Sequence, residues 1–202
     1  MVRRLTGRRA AKVPAPVTIC KCGCGKPVDW DDVSPLFQLD ERSSAILVDI
    51  LPHEGTPEAI FRFADCCDGL TDYWYWFMLG VLWVSYTGRS SLDLWRELFA
   101  SRRPNRQQCL MKPHELRELR GMPERLTVYR AHRREEQDWV SYTLSLETAK
   151  RFLESRPGGH ITEYTVRKRS VLALFLRRGE QEVLVLDRRD ARRKDGWKSN
   201  TY

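Results

Sequence analysis

Apolar positions recur at helical spacing through the first part of the chain and at strand spacing through the second. Residues 56–70 (TPEAIFRFADCCDGL) and 90–103 (SSLDLWRELFASRR) set their apolar side chains three and four apart, the period that gathers them on one face of a helix. Ser90 or Ser91 stands where the second helix needs an acceptor for its free N–H groups. Between the two, residues 73–86 (YWYWFMLGVLWVSY) are apolar on every side and predict a buried core helix. That run is shorter than the roughly 20 residues a membrane span requires, and Asp72 and Arg89 bound it, so no membrane insertion is expected. Pro104, Pro113 and the polar run NRQQ predict a connection, and KPHELRELRG predicts a short helix closed by Gly121.

Near residue 120 the pattern changes. Short runs rich in β-branched and aromatic residues predict strands at 126–130 (LTVYR), 139–143 (WVSYT), 161–166 (ITEYTV), 171–176 (VLALFL) and 182–187 (EVLVLD). Among them SLETAKRFLESRPGG reads as one helix, capped by Ser145, with Leu146, Ala149, Phe152 and Leu153 on its apolar face and a Pro-Gly-Gly stop. The expected fold class is α+β, a helical N-terminal region followed by a compact mixed or antiparallel β-sheet domain. Four segments follow: a basic flexible arm (1–17), a helical region with a Cys-rich loop (18–120), the sheet domain (121–188) and a basic, solvated tail (189–202).

Composition narrows this little. At 202 residues and 42% hydrophobic the chain can bury a core, and a net charge of +8 suits an acidic partner such as nucleic acid or a nucleotide without selecting one. Pro14 and Pro16 interrupt the only apolar stretch after the basic N-terminus, so a cleaved secretory signal is not expected, and the cysteines are expected to be reduced. Three of the six cysteines, Cys20, Cys22 and Cys24, fall on alternate residues of CKCGCG, whose glycines let a loop fold around a metal; with Cys66 or Cys67, and His53, they could form a tetrahedral zinc site. The spacing is not that of a C-x-x-C knuckle, and ordinary thiols remain the other reading.

The stretch GEQEVLVLD sets Glu180 and Glu182 two residues apart where a polar turn becomes an apolar run. In an extended backbone both carboxylates point to one side, at the mouth of a buried strand, where they can meet a cation. Alternatively they are solvated acids flanking Arg177, Arg178, Arg188 and Arg189. No glycine-rich phosphate loop of the Rossmann or Gly-Lys-Ser/Thr type occurs.

Three elements stand in order along the second half: Arg130 in VYRAH, Ser141-Tyr142-Thr143 in WVSYTLSLETAKRF, and Glu180-Gln181-Glu182 in GEQEVLVLD. Together they resemble the arginine, Ser-x-Ser/Thr and Glu-x-Glu elements of the arginine–serine–glutamate class of ADP-ribosyltransferases, especially the compact members of bacteria and their phages. The resemblance covers about residues 122–188. It implies a cytoplasmic protein of a bacterial host cell that takes NAD⁺ as substrate and transfers ADP-ribose to a macromolecular acceptor, protein or nucleic acid. On this resemblance Glu182 is the catalytic carboxylate at the nicotinamide ribose, Glu180 orients or deprotonates the acceptor, and Arg130 holds the NAD phosphates. Ser141, Tyr142 and Thr143 supply the supporting strand, Ser141 bonding Glu182 or the nicotinamide amide, and Phe152 stacks on nicotinamide. The turn before Glu180 is short, so the loop that often reads the acceptor in larger members is nearly absent, and plain NAD⁺ hydrolysis stays open. A rival expectation is a non-catalytic module in which the zinc loop and basic arm hold nucleic acid or protein. His132, two residues beyond Arg130, is not selected, because the other two elements go with an arginine.

Overall fold

The computed structural model describes residues 36–86 and 90–194; the loop with Cys20, Cys22 and Cys24, the basic arm and the end of the tail lie outside the described residues. Helices come first. Helix α1 (Glu41–Ile50) opens on Asp40, whose carboxylate accepts from the Ser43 N–H. It is followed by α2 (Glu58–Cys66), α3 (Asp72–Ser85) and α4 (Leu92–Phe99), the last two capped by Thr71 and Ser91. Then come α5 (Arg106–Leu110) and α6 (Pro113–Gly121). The polar run expected to be a connection is thus a short helix whose end, Cys109 and Leu110, is buried. It packs closely on α3, where Gly80 permits the approach: a Cβ there would lie 3.1 Å from the Leu110 carbonyl oxygen.

The second half forms β1 (Arg125–His132), β2 (Ser141–Thr143), α7 (Leu146–Glu154), β3 (His160–Arg167), β4 (Ala173–Phe175), β5 (Glu182–Leu184) and β6 (Ala191–Arg193). They make one six-stranded sheet, ordered β4-β5-β2-β1-β3-β6, in which every neighbouring pair is antiparallel. The class is α+β, with most helices N-terminal. The tail was expected to be solvated, yet its residues Ala191–Arg193 pair with β3 as an edge strand. Ala191 is buried while the two arginines beside it are exposed, and three residues are too few to show a period.

One cluster of buried side chains runs from Leu47 on α1 through Trp76 and Leu79 on α3 to Val183 on β5 and Ala191 on β6, so both halves share a core. They are also stitched at the edge strand β4. Its Leu174 N–H donates to Met111 Sδ at 3.2 Å, and the Leu176 N–H just beyond it donates to Glu115 Oε1 at 2.9 Å. The Val171 carbonyl before it accepts from Gln107 Nε2 at 2.7 Å. Helix α7 packs elsewhere, placing Ala149 against Ala131 and Ile161 with Tyr129 and Phe152 alongside.

Candidate active site

The register brings the three sequence elements together. Thr143 pairs with Glu182 and Ser141 with Leu184 across β2 and β5, while β1 meets β2 at Tyr129 and Thr143. Ser141 Oγ donates to Glu182 Oε1 at 2.5 Å, and Arg130 Nη1 donates to the Ser141 carbonyl at 3.1 Å. The second oxygen of Glu182, Oε2, accepts from Trp83 Nε1 at 3.1 Å. Both carboxylate oxygens are therefore held by donors from opposite halves of the chain. Burial pushes the Glu182 carboxyl above the ordinary glutamate value; the Ser141 and Trp83 hydrogen bonds pull it back, and the charge of Glu180 pushes it up again.

Arg130 forms the other pole. Burial holds its guanidinium below the ordinary arginine value, with the nearby charge of Arg156 acting the same way, though an arginine stays protonated at any working pH. Its Nε is buried with no hydrogen-bond partner, and its guanidinium carbon lies 5.7 Å from the centre of the Trp139 ring. A charged fork with an unused donor beside an ionisable carboxylate suits a ligand that carries an anion at one end and develops positive charge at the other.

Four sequence expectations change. Glu180 and Glu182 do not follow strand alternation, because Gln181 adopts the left-handed region (φ 48°) and β5 begins only at Glu182. Glu180 instead forms an ion pair with Arg178 at 3.2 Å, and Arg178 also donates to the Val84 carbonyl at 3.0 Å. Thr143 is buried; its hydroxyl donates to the Glu180 carbonyl at 2.6 Å and accepts from the Ser145 N–H at 3.1 Å. That hydroxyl holds the turn before β5, its donor and one acceptor site being taken by backbone groups. Tyr142, between two residues on the site side, points into the core, 2% exposed, edge-on to Tyr164 at 5.4 Å, and burial pushes its hydroxyl up to about 12. Phe152 is half-buried, packed against the α7 cluster, and the Arg156 guanidinium already lies 5.8 Å from its ring centre. His132 is a buried residue with both ring nitrogens engaged, by the Arg133 carbonyl and Thr162 Oγ1.

Sequence reasoning missed Trp83. Helix α3 reads as core from every side, so its tryptophans look alike; the one usable signal is that a buried indole N–H must find an acceptor. For the zinc expectation, no group of three or more His, Cys, Asp or Glu suited to a metal occurs among the described residues. Burial raises the Cys66 and Cys67 thiols above the ordinary value, and their sulfurs donate to the Arg62 carbonyl at 3.0 Å and the Ala64 carbonyl at 3.6 Å. Comparison of the chain with models of protein families, with curated proteins and with solved structures finds no match.

Proposed function

We propose that the chain is an NAD⁺-dependent mono-ADP-ribosyltransferase in which Glu182 is the catalytic carboxylate. The observation that carries this reading is the double hydrogen bond on Glu182, from Ser141 at 2.5 Å and Trp83 at 3.1 Å, in reach of the partly unpartnered Arg130. Arg130 would take the pyrophosphate oxygens, for which a planar charged fork is suited. The bond between nicotinamide nitrogen and ribose C1′ breaks, and nicotinamide leaves with the electron pair. The ribose then carries oxocarbenium character, which the Glu182 carboxylate opposes from a fixed position. A nucleophile adds to C1′ and gives up its proton.

The acceptor divides two versions of this reading. Transfer to a protein or nucleic acid asks Glu180 to orient the nucleophile. The Glu180–Arg178 ion pair and the turn held by Thr143 favour water instead, making NAD⁺ hydrolysis the second reading. Incubation with NAD⁺ labelled in the adenosine moiety, with and without bacterial lysate, tests both. Release of nicotinamide that Glu182→Gln lowers by about 10²-fold or more is expected. Label on a macromolecule would mean transfer, and free ADP-ribose alone would mean hydrolysis. No nicotinamide release under either condition sinks the proposal and leaves a binding module.

A further inference from the structure

Away from this site, one face of the sheet gathers arginines. The register sets Arg125 on β1 opposite Arg167 on β3, and Thr165 on β3 opposite both Thr127 on β1 and Arg192 on β6. Antiparallel partners point to one side and alternate residues return to it, so Arg125, Thr127, Thr165, Arg167 and Arg192 share a face. Helix α7 covers the same face farther along, over Tyr129, Ala131 and Ile161, and leaves this end open. All of the group are exposed except Thr165, which is half-buried. Arg189 and Asp190, just before β6, complete a pocket of about 80 Å³ lined by Arg125, Thr165, Arg167, Arg189, Asp190 and Arg192.

Farther along the same face the buried Glu163, opposite Tyr129, is taken up by Lys194 at 2.6 Å, which leaves the strand arginines at the open end without a carboxylate of their own. Arg189 pairs with Asp187 at 2.7 Å, but Arg125, Arg167 and Arg192 make no ion pair among the described residues. Asp190 is the one carboxylate lining the pocket. Like charges directly opposite across a strand pair are destabilising, so setting Arg125 against Arg167 carries a cost that an anion between them would remove.

The geometry points to a binding surface for the phosphate backbone of a nucleic acid. Guanidinium forks and threonine hydroxyls are the donors that phosphate oxygens take. Arg125 and Arg167 stand one strand apart, about 4.8 Å, and Arg192 stands one strand and two residues from Arg167, roughly 8 Å, so the three long side chains can each take a different phosphate of one chain. Among the described residues the exposed large apolar side chains, Leu36, Leu39, Val48, Leu51 and Phe61, all belong to the helical half, so this face offers nothing for an apolar protein partner or a bilayer interior. It lies at the end of β1 away from Arg130, roughly 17 Å along the strand, and does not rest on the transferase reading.

The test is fluorescence anisotropy of a short labelled single-stranded oligonucleotide of random sequence, titrated with the full chain at several salt concentrations. Wild type should bind, with affinity falling steeply with salt. The variant R125Q/R167Q/R192Q should bind at least tenfold more weakly at low salt, with a log–log salt slope shallower by about 2, three lost phosphate contacts at ~0.7 each. A charge-matched control, R62Q/R102Q/R151Q, removes three exposed arginines elsewhere and should bind as wild type does. Thermal melts establish that all three proteins are folded. Equal affinity of the two triple variants overturns the inference, whether both keep binding, through the basic arm, or both lose it, through net charge alone. Absence of wild-type binding at low salt, or binding only to phosphatidylserine vesicles, overturns it as well.

Discussion

At the scale of single residues, Glu182 carries opposed demands. Burial raises its pKa, so the fold favours the protonated carboxyl, while the proposed chemistry needs the carboxylate. Turnover of NAD⁺ should therefore fall on the acid side with a midpoint above the ordinary glutamate value. Trp83→Phe removes one hydrogen bond that lowers the pKa, so the midpoint should move further up and kcat should fall with KM little changed. Ser141→Ala removes the larger such bond and should move it more. Midpoints that coincide with wild type in a pH–rate series would strip both donors of that role. Stability runs the other way. A carboxyl whose folded pKa is raised costs stability as pH rises from the unfolded value through the folded one, and the full cost persists above it. Glu182→Gln should therefore melt at a higher temperature than wild type at neutral pH while losing turnover; a lower melting temperature would mean that the hydrogen bonds outweigh desolvation. Much of this site is legible in sequence, since Arg130, Ser141 and Glu182 stand in recognisable local phrases. The Glu182–Trp83 contact is not, because it joins residues 99 apart and depends on how a uniformly apolar helix is rotated. The left-handed Gln181 is equally hidden, since glutamine gives no local sign of a positive φ.

Among elements, the lesson lies at β4. The helices and strands that the apolar pattern predicts are present, whereas α1, α5 and β6 escape notice: α5 and β6 hold too few residues to show a period, and α1 buries only Ser43, Leu47 and Ile50 along its ten residues. Their importance is tertiary. Glu115 is fully buried, and its carboxylate accepts from the Leu176 N–H at 2.9 Å, the Lys112 N–H at 2.8 Å and Arg177 at 3.2 Å. Removing one partner of a buried ion pair leaves the other charge uncompensated, so Glu115→Ala should destabilise by about 3 kcal/mol or more, measured by urea denaturation. Glu115→Gln keeps one acceptor oxygen and should cost less. A loss under about 1 kcal/mol for Glu115→Ala would show that water replaces the carboxylate and that the stitch is weak.

For the whole molecule, the shared core makes the sheet half a poor independent unit. Buried side chains of α1, α3 and α4 belong to the same cluster as those of β4 and β5, and an ion pair joins Arg96 of α4 to Asp138 ahead of β2. A fragment beginning at residue 122 would expose the faces these helices cover, together with the unpaired edge of β4. It should be aggregated or lack a cooperative melt, whereas the intact chain should unfold in one transition by both far-ultraviolet dichroism and tryptophan fluorescence. A fragment that melts sharply would show that the second half stabilises itself. No helix among the described residues is long and apolar enough to cross a membrane, and the apolar run of α3 is accounted for by this core.

The cover over β4 also has an order in time. Met111 precedes Leu174 by 63 residues, and Glu115 precedes Leu176 by 61. At synthesis rates of about 5–20 residues per second, that interval is on the order of 3–12 s, while helices relax within about a microsecond. As the chain leaves the ribosome, α5 and α6 can thus be waiting when the strand emerges. An edge able to recruit sheets from other nascent chains finds its acceptors already made.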